Sequence, residues 1–449
     1  MLVPRLTSMA ALCRHRAPAS TAAPVQSCLD PARPIAYPVR ARRFAVSVPH
    51  RAMQASTGPT VTPAESAHIA ALRADLRLPP GARVAVAMSG GVDSSTVAAL
   101  LVEAGYEVFG LTARLYDVDR GDAPRAGTCC APEDACDARF VAQHIGIRHY
   151  VVDERDIFRR TVIEPFVAAY GAGETPNPCV ECNRTLKFDR LVQQARALGA
   201  DALATGHYSR LGLDEDGLPK LQRGVDDSKD QSYFLHPLGP DAGRYLRFPL
   251  GAWTKADVRV HAARLGLPTA AKRESMDICF VGQSSVRAFV AQQAGALKGP
   301  IVDAAGTSLG RHEGLAGFTV GQRHGIPVQA TRPDAPVQYV IDKRADGTLV
   351  IGGHEDLRIS QVELKDCTWL SGQAPQAGQG VDVQVRHRGR AVPARVVRVD
   401  DAGVRVRLEL QAALFGAARG QSGVLYQGDR VLGGGLIAEH TNAQSLVNK

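Results

Sequence analysis

At 449 residues, with 45% hydrophobic and 22% charged side chains, the chain is long enough for two or three globular domains and too apolar to be a disordered one. No stretch approaches the roughly 18 to 20 apolar residues that a membrane helix needs, so no membrane partner is expected. The net charge of +8 looks like a nucleic-acid signature until it is located: residues 1–66 hold eight arginines against only Asp30 and Glu65, which accounts for six of those charges. Any case for an RNA partner therefore rests on local patches.

Taken in chain order, the leader is rich in Arg, Ser, Ala and Pro, poor in acids, and lacks a long apolar core. It reads as a transit peptide for an organelle matrix or stroma, in a mitochondrion or plastid, with a plain extension of no targeting value as the alternative. Residues 1–80 are set aside on that ground. A short buried-type strand at 84–88 follows, then a helix at 93–103 closed by Gly105 and a strand at 107–115. A helix at 134–144, a strand at 149–152, helices at 156–170 and 186–198, a strand at 202–205 and a helix at 255–265 continue the alternation. Alternation of this kind predicts the α/β class, with a parallel sheet covered on both faces, over residues 81–282. Residues 283–358 are Gly-rich, with short strands at 338–342 and 348–352, and form a small central domain. Residues 359–449 alternate polar and apolar at 381–386 and 404–408, as in a small antiparallel β-barrel.

Ser89-Gly90-Gly91-Val92-Asp93-Ser94-Ser95 joins the first strand to the first helix of this sheet. Paired glycines let the backbone approach an anion, the helix start aims N–H groups at it, and Ser89, Ser94 and Ser95 add hydroxyl donors. No Gly-Lys-Ser/Thr follows, so this is not a Walker loop; it resembles the PP-loop of ATP pyrophosphatases. Asp93 is the expected ligand for Mg²⁺. A plain tight turn is the alternative.

Nine cysteines occur, with Cys13 and Cys28 in the leader. Seven remain, an odd number in a large chain that needs no disulfide framework. Cys179 and Cys182 sit in the proline-stiffened stretch 175–183, and the helix start beside Arg184 and Lys187 favours a thiolate at Cys182. Cys279 stands far along the chain in an apolar, strand-like context. Cys129, Cys130 and Cys136 lack a clear fourth metal ligand and read as buried thiols at a helix start.

The ordered set Ser-Gly-Gly-Val-Asp-Ser (89–94), Thr-Pro-Asn-Pro-x-x-x-Cys-Asn (175–183), Ala-Thr-Gly-His-Tyr (204–208), Lys-Asp-Gln-Ser-Tyr-Phe-Leu (229–235) and Ile-Cys-Phe-Val-Gly (278–282) is similar to the MnmA-type tRNA 2-thiouridylases. The likeness runs from about residue 83 to 440. It implies a PP-loop catalytic domain, a central domain and a tRNA-binding C-terminal β-barrel, with ATP-dependent 2-thiolation of the wobble uridine as the activity. By the same resemblance ATP binds at Ala87, Met88, Ser89, Gly90, Gly91, Val92, Asp93, Ser94, Ala113 and Gly206, and the uridine C2 oxygen is adenylated. Cys279 receives sulfur as a persulfide from a sulfur relay or cysteine desulfurase. Cys182 assists its delivery as the catalytic nucleophile, ending in a transient Cys182–Cys279 disulfide. Asn177, Pro178 and Cys179 touch the flipped-out base, which has to leave the stack before C2 can be reached. His207, Lys229, Asp230, Gln231, Arg386, His387 and Gln421 contact tRNA, with lysine, glutamate and glutamine tRNAs as the implied substrates.

Many members of that family have aspartate where this chain has Cys179. The departure leaves three readings open: a persulfide route, an iron–sulfur cluster on Cys179, Cys182 and Cys279, or an inert or structural role for Cys179. In the barrel, Arg386, Arg388 and Arg390 are expected on one face of a strand, and Arg405 and Arg407 on another, as a phosphate-binding stripe. A different PP-loop enzyme, a catalytically idle tRNA-binding protein and a Cys-x-x-Cys redox protein are the rival readings.

Overall fold

The computed structural model describes residues 63–116, 132–274, 278–282, 284–328 and 337–442. Cys129 and Cys130, and the leader up to residue 62, lie outside them.

The first sheet consists of β1 (Arg83–Ala87), β2 (Glu107–Arg114), β3 (Arg148–Asp153), β4 (Ala202–Ala204) and, after a hairpin of β5 (Ser209–Leu213) and β6 (Pro219–Arg223), β7 (Leu246–Arg247). Its order is β3-β2-β1-β4-β7 and every pairing is parallel. Parallel strands need helical crossovers, which bury both faces of the sheet. On one face, Val97, Leu100 and Leu101 of the helix Val92–Glu103 cover Val84 and Val86. On the other, Phe188, Leu191, Val192 and Ala195 pack with Ala85, Phe109, Leu111 and Leu203.

Three expectations need correction here. The helix Pro63–Leu76 belongs to the fold, because Leu72 and Leu76 are buried in the first core cluster; residues 63–80 are no mere extension. The helix expected at 156–170 is interrupted by a π-helical stretch at Arg159–Ile163. The one expected at 186–198 starts earlier, at Pro178–Glu181, and passes through a longer π stretch, Cys182–Arg190, before Leu191–Ala197. Proline at the first helical position and the Asn177 side chain, which accepts from the Cys179 N–H, explain the early start.

The central domain has β8 (Gly299–Val302), β9 (Ser308–His312), β10 (Tyr339–Lys343) and β11 (Leu349–Gly352), ordered β10-β11-β8-β9 around Ile301, Leu315, Phe318, Val340, Leu349 and Ile351. The C-terminal strands are β12 (Arg358–Trp369), β13 (Gly380–Gln384), β14 (Val392–Val399), β15 (Val406–Phe415), β16 (Ser422–Gln427) and β17 (Arg430–Asn442). They run antiparallel in the ring β12-β15-β14-β13-β16-β17, which closes because β17 also pairs with β12. Closure removes the free edges that an open sheet would expose. The start of β17 also bonds to β6, through Arg430 opposite Gln222 and Val431 opposite Leu221, so the hairpin of the first domain is stitched to the barrel.

The packing of the first helix generates a stability test. Leu72→Ala should cost ~2–5 kcal/mol in denaturant unfolding, the usual cost of emptying a buried leucine site. A chain beginning at residue 81 should unfold at lower denaturant than one beginning at residue 60; equal midpoints would return residues 63–80 to the leader.

Candidate active site

The nucleotide-type loop lies at the carboxyl edge of the parallel sheet. β1 ends at Ala87, Met88 bonds back through its N–H to Leu111 O at 2.9 Å, and Gly91 caps the twelve-residue helix Val92–Glu103. Gly90 has φ +72, and a Cβ on it would collide with the backbone of Asp134, so only glycine fits there. Opposite, a Cβ on Gly206 would sit 2.9 Å from Ser94 N and 3.1 Å from the Asp93 backbone. Two backbones thus approach each other at the helix start with no side chain between them. The hydroxyls divide: Ser89 and Ser94 face each other at 3.2 Å, whereas Ser95, fully buried, donates back to Gly91 O at 2.7 Å. Ser95 is therefore not among the ligand donors as expected, because its one proton closes a turn of its own helix.

Below the loop, Thr112 Oγ1 donates to Met88 O at 2.7 Å and meets His149 Nε2 at 2.8 Å. The hydroxyl has only one proton to give, so His149 Nε2 carries the other and the imidazole is the neutral Nε2–H tautomer. Burial, with Arg139 nearby, pushes His149 down to about 4, in keeping with that state.

Asp93 is held by Lys255 and Tyr208. Lys255 Nζ lies 2.6 and 2.8 Å from its two carboxylate oxygens, and Tyr208 OH donates to Oδ1 at 2.7 Å. Lys255 also meets Glu274 at 3.1 Å, and Glu274 accepts from Lys229 at 2.6 Å. Burial works to raise Glu274, but the hydrogen bonds from Lys229 and Lys255 outweigh it and hold the carboxyl below its ordinary value. Lys272 Nζ bonds to Gly90 O at 3.0 Å and to Asp134 and Asp137 at 2.5 Å each. Asp93 was expected to ligate Mg²⁺; here its charge is already matched by Lys255.

Tyr208 closes the Ala-Thr-Gly-His-Tyr stretch, but no motif marked Lys255, Lys272 or Glu274. One signal was present: Lys255 opens a helix behind a Thr254–Asp257 capping box, and a cation at a helix start is unfavourable unless a carboxylate faces it.

Cys182 and Cys279, far apart along the chain, border one small apolar cluster formed by Leu115, Phe158, Val162 and Leu186. Leu115 directly follows β2, so this cluster sits at the same sheet edge as the loop. Cys182 opens the π stretch, where Thr185 Oγ1 donates to Glu181 O at 2.8 Å and Asn183 Nδ2 to Phe234 O at 2.9 Å. Cys279 lies in a turn, not a strand. The apolar neighbours that suggested a strand are anchors: Phe280 meets Phe158 and Phe166 edge-on, with centroids 5.7 and 5.2 Å apart. Cys179 is exposed, whereas Cys136 is buried in the helix Pro132–His144. Among the described residues, no three His, Cys, Asp or Glu are placed to hold a metal ion, and Cys179, Cys182 and Cys279 are all described. The cluster reading does not fit this arrangement.

The residues expected at tRNA have intramolecular roles. His207 is buried, meeting Thr205 at 2.7 Å and Lys187 at 3.4 Å; burial, then the Lys187 charge, holds it well below its ordinary pKa. Asp230 organises a turn through Gly224 N and Ser232 N and pairs with Arg223 at 3.0 Å. Gln231 accepts from Tyr208 N at 2.9 Å, and Gln421 donates to Thr175 O at 3.1 Å. His387 is exposed and packs on Phe234. The arginine stripe is corrected: β13 stops at Gln384, so Arg386, Arg388 and Arg390 lie in a turn and the segment after it. Arg386 donates to Gly416 O at 2.7 Å, while Arg405 and Arg407 both pair with Glu363, at 3.1 and 2.7 Å.

Three family models match in succession: a tRNA methyl transferase HUP domain over residues 82–283, a tRNA methyl transferase PRC-barrel domain over 287–353 and an aminomethyltransferase beta-barrel domain over 359–437. The chain is 44% identical to the tRNA-specific 2-thiouridylase MnmA of Caulobacter vibrioides over 388 residues, covering 84% of this chain and 99% of that one. It is 46% identical to the same protein of Paramagnetospirillum magneticum over 378 residues, covering 82% and 99%. The U34-tRNA thiolase NcsA from Methanococcus maripaludis, solved with its [4Fe-4S] cluster, overlaps 51% of this chain and 71% of its own, with 19% identity and a TM-score of 0.33. That overlap is too loose to transfer any ligand.

Two outcomes follow from the geometry. Gly206→Ala should weaken ATP binding on the order of tenfold, because the loop and helix start must move apart; unchanged affinity in calorimetry would contradict the close approach. His149 and His236, the latter pushed by burial and then Arg184 to about 3, are neutral in the fold. Both sit below an unfolded value of about 6.5, so the stability they confer is complete above that pH and lost as pH falls toward 4 and 3. The unfolding midpoint should therefore drop with acidification below about pH 6.5. His149→Gln should flatten that drop, and an unaltered slope would refute the assignment.

Proposed function

The chain belongs to the MnmA family of tRNA-specific 2-thiouridylases, and from that premise we propose that it thiolates the wobble uridine at C2, using ATP to activate the C2 oxygen and a cysteine persulfide to supply sulfur. It is a tRNA sulfurtransferase. The observation that carries the finer reading is the convergence at one sheet edge of the Ser89–Ser94 loop and of two cysteines that share an apolar cluster.

ATP fits the loop chemically. The N-terminal N–H groups of Val92–Glu103, with Ser89 and Ser94, would hold phosphate, and the glycines at 90 and 206 keep the cradle open. ATP supplies the AMP group that turns a poor leaving oxygen into a good one. Lys255 and Lys272 stand beside the loop, where pyrophosphate would depart, each held in place by carboxylates, Asp93 and Glu274 for the first and Asp134 and Asp137 for the second. Mg²⁺ would add charge neutralisation, and Asp93 could reach it only by sharing its carboxylate with Lys255.

For sulfur transfer, the terminal sulfur of a Cys279 persulfide attacks C2 and AMP leaves. The Cys182 thiolate then attacks the Cys279 sulfur, breaking its bond to the transferred sulfur and forming the Cys182–Cys279 disulfide. An external thiol reductant must reopen that disulfide before a second turnover. Both cysteines border the same apolar patch, which limits water around the persulfide.

Lysine, glutamate and glutamine tRNAs, and a sulfur relay or desulfurase as donor, are part of the proposal. So is import into an organelle, supported by the arginine-rich, acid-poor composition of residues 1–66.

Single-turnover thiolation of an unmodified wobble-uridine tRNA with ATP, Mg²⁺ and a persulfide donor tests the reading. Wild type should form 2-thiouridine with AMP in equal amount, and both Cys182→Ser and Cys279→Ser should abolish it. Thiolation that survives either substitution would defeat the two-cysteine route.

A further inference from the structure

The stretch that delivers Cys182 begins at Thr175, and every polar group of Thr175 is held by another domain. Its N–H donates to Arg419 O of the barrel at 2.7 Å, and its carbonyl accepts from Gln421 Nε2 at 3.1 Å. Its hydroxyl meets Lys343 Nζ, at the end of β10 in the central domain, at 3.2 Å. Lys343 also donates to Glu174 O at 3.1 Å, while Lys365 of β12 reaches the Glu174 carboxylate at 3.4 Å. Arg419 closes the ring through its guanidinium, which donates to Lys343 O and to Asp342 at 3.3 Å. At Gly173, φ +75, a Cβ would lie 3.0 Å from the carbonyls of Lys343 and Arg344, so the backbones touch there as well.

Lys343 is an expensive residue for this position. It is 1% exposed, its hydrogen bonds go to a carbonyl and a hydroxyl, and its ammonium lies 5.1 Å from the Tyr170 ring. Burial, then Arg419, pushes it down to about 8 against the pull of Asp342. A buried cation without a hydrogen-bonded carboxylate is destabilising relative to an apolar side chain of the same length. Its presence calls for a reason beyond packing.

The chain downstream supplies one. Pro176 and Pro178 fix their own φ angles and restrict the residues before them. Asn177 caps the helix they open, and Cys182 follows within one turn of its end. A chain this stiff passes a displacement of Thr175 on to the thiol. We infer that Lys343 and Arg419 are positioning residues: through Glu174 and Thr175, the central domain and the barrel set where Cys182 stands. The inference rests on the role of Cys182 proposed above, and neither residue touches the reacting atoms.

Steady-state thiolation by the full chain, with tRNA transcript, ATP and a persulfide donor, tests it in wild type, Lys343→Met, Lys343→Arg, Thr175→Val and the Lys343→Met/Thr175→Val double variant. Misplacing a nucleophile costs the chemical step, so kcat should fall about tenfold or more in Lys343→Met and Thr175→Val. KM for tRNA should stay within about twofold, since neither substituted side chain is among those expected to contact tRNA. Lys343→Arg should recover part of kcat, and the double variant should be no slower than the worse single one, because both remove the same contact. Unchanged kcat in both single variants, a loss confined to KM, or losses that multiply would overturn the inference. Should Lys343→Met fail to fold, the near-isosteric Thr175→Val decides alone. An inactive wild type would fault the functional reading instead.

Discussion

The parallel pairing of β1 with β2 and β4 is the constraint on which the site depends. Parallel strands end at the same edge of a sheet, so three separate chain segments are delivered to one place. They are the glycine loop after Ala87, the Leu115 cluster after β2, and Thr205-Gly206-His207 after β4. An antiparallel arrangement would send alternate segments to opposite edges, and neither the Gly206–Ser94 approach nor the shared apolar patch under Cys182 and Cys279 could form. The charge pairs come second to this geometry: Lys255, Tyr208 and Lys272 reach Asp93 and Gly90 because the backbone has already brought those residues to the edge.

Much of this was legible from residue order. Strand and helix periods located the sheet, the glycines at 105 and 146 marked helix ends, and the loop read as an anion site from its residues alone. What stayed hidden depends on tertiary partners. The β5–β6 hairpin is short and half-exposed, and its place beside the barrel comes from tertiary partners, the pairing of β6 with β17 and the Arg223–Gln384 bond among them. The turn at Cys279 carries apolar residues because Phe280 anchors it among aromatic rings, and periodicity cannot tell such an anchor from a strand. The π stretch at Cys182–Arg190 keeps a helical composition, so its widened turn leaves no mark on the sequence.

The supposed RNA surface is a different lesson. Arginines at alternate positions suggested a phosphate-binding stripe, yet Arg405 and Arg407 share Glu363, and Arg386 is taken up by the Gly416 carbonyl. Alternate spacing fixes a face only while the strand persists, and β13 ends two residues before Arg386. Gln421 and Asp230 likewise spend their polar atoms inside the protein. A residue expected at the substrate can thus also shape the site through its bonds inside the protein.

The proposed chemistry has ATP activate the C2 oxygen of the uridine, which then departs with AMP. Its most direct test is a single turnover on tRNA whose wobble uridine carries heavy oxygen at C2, followed by mass analysis of the nucleotide products. The AMP released should contain the heavy oxygen, and the thiolated uridine should have lost it. Unlabelled AMP, with the heavy oxygen released to water or left on the base, would contradict that chemistry.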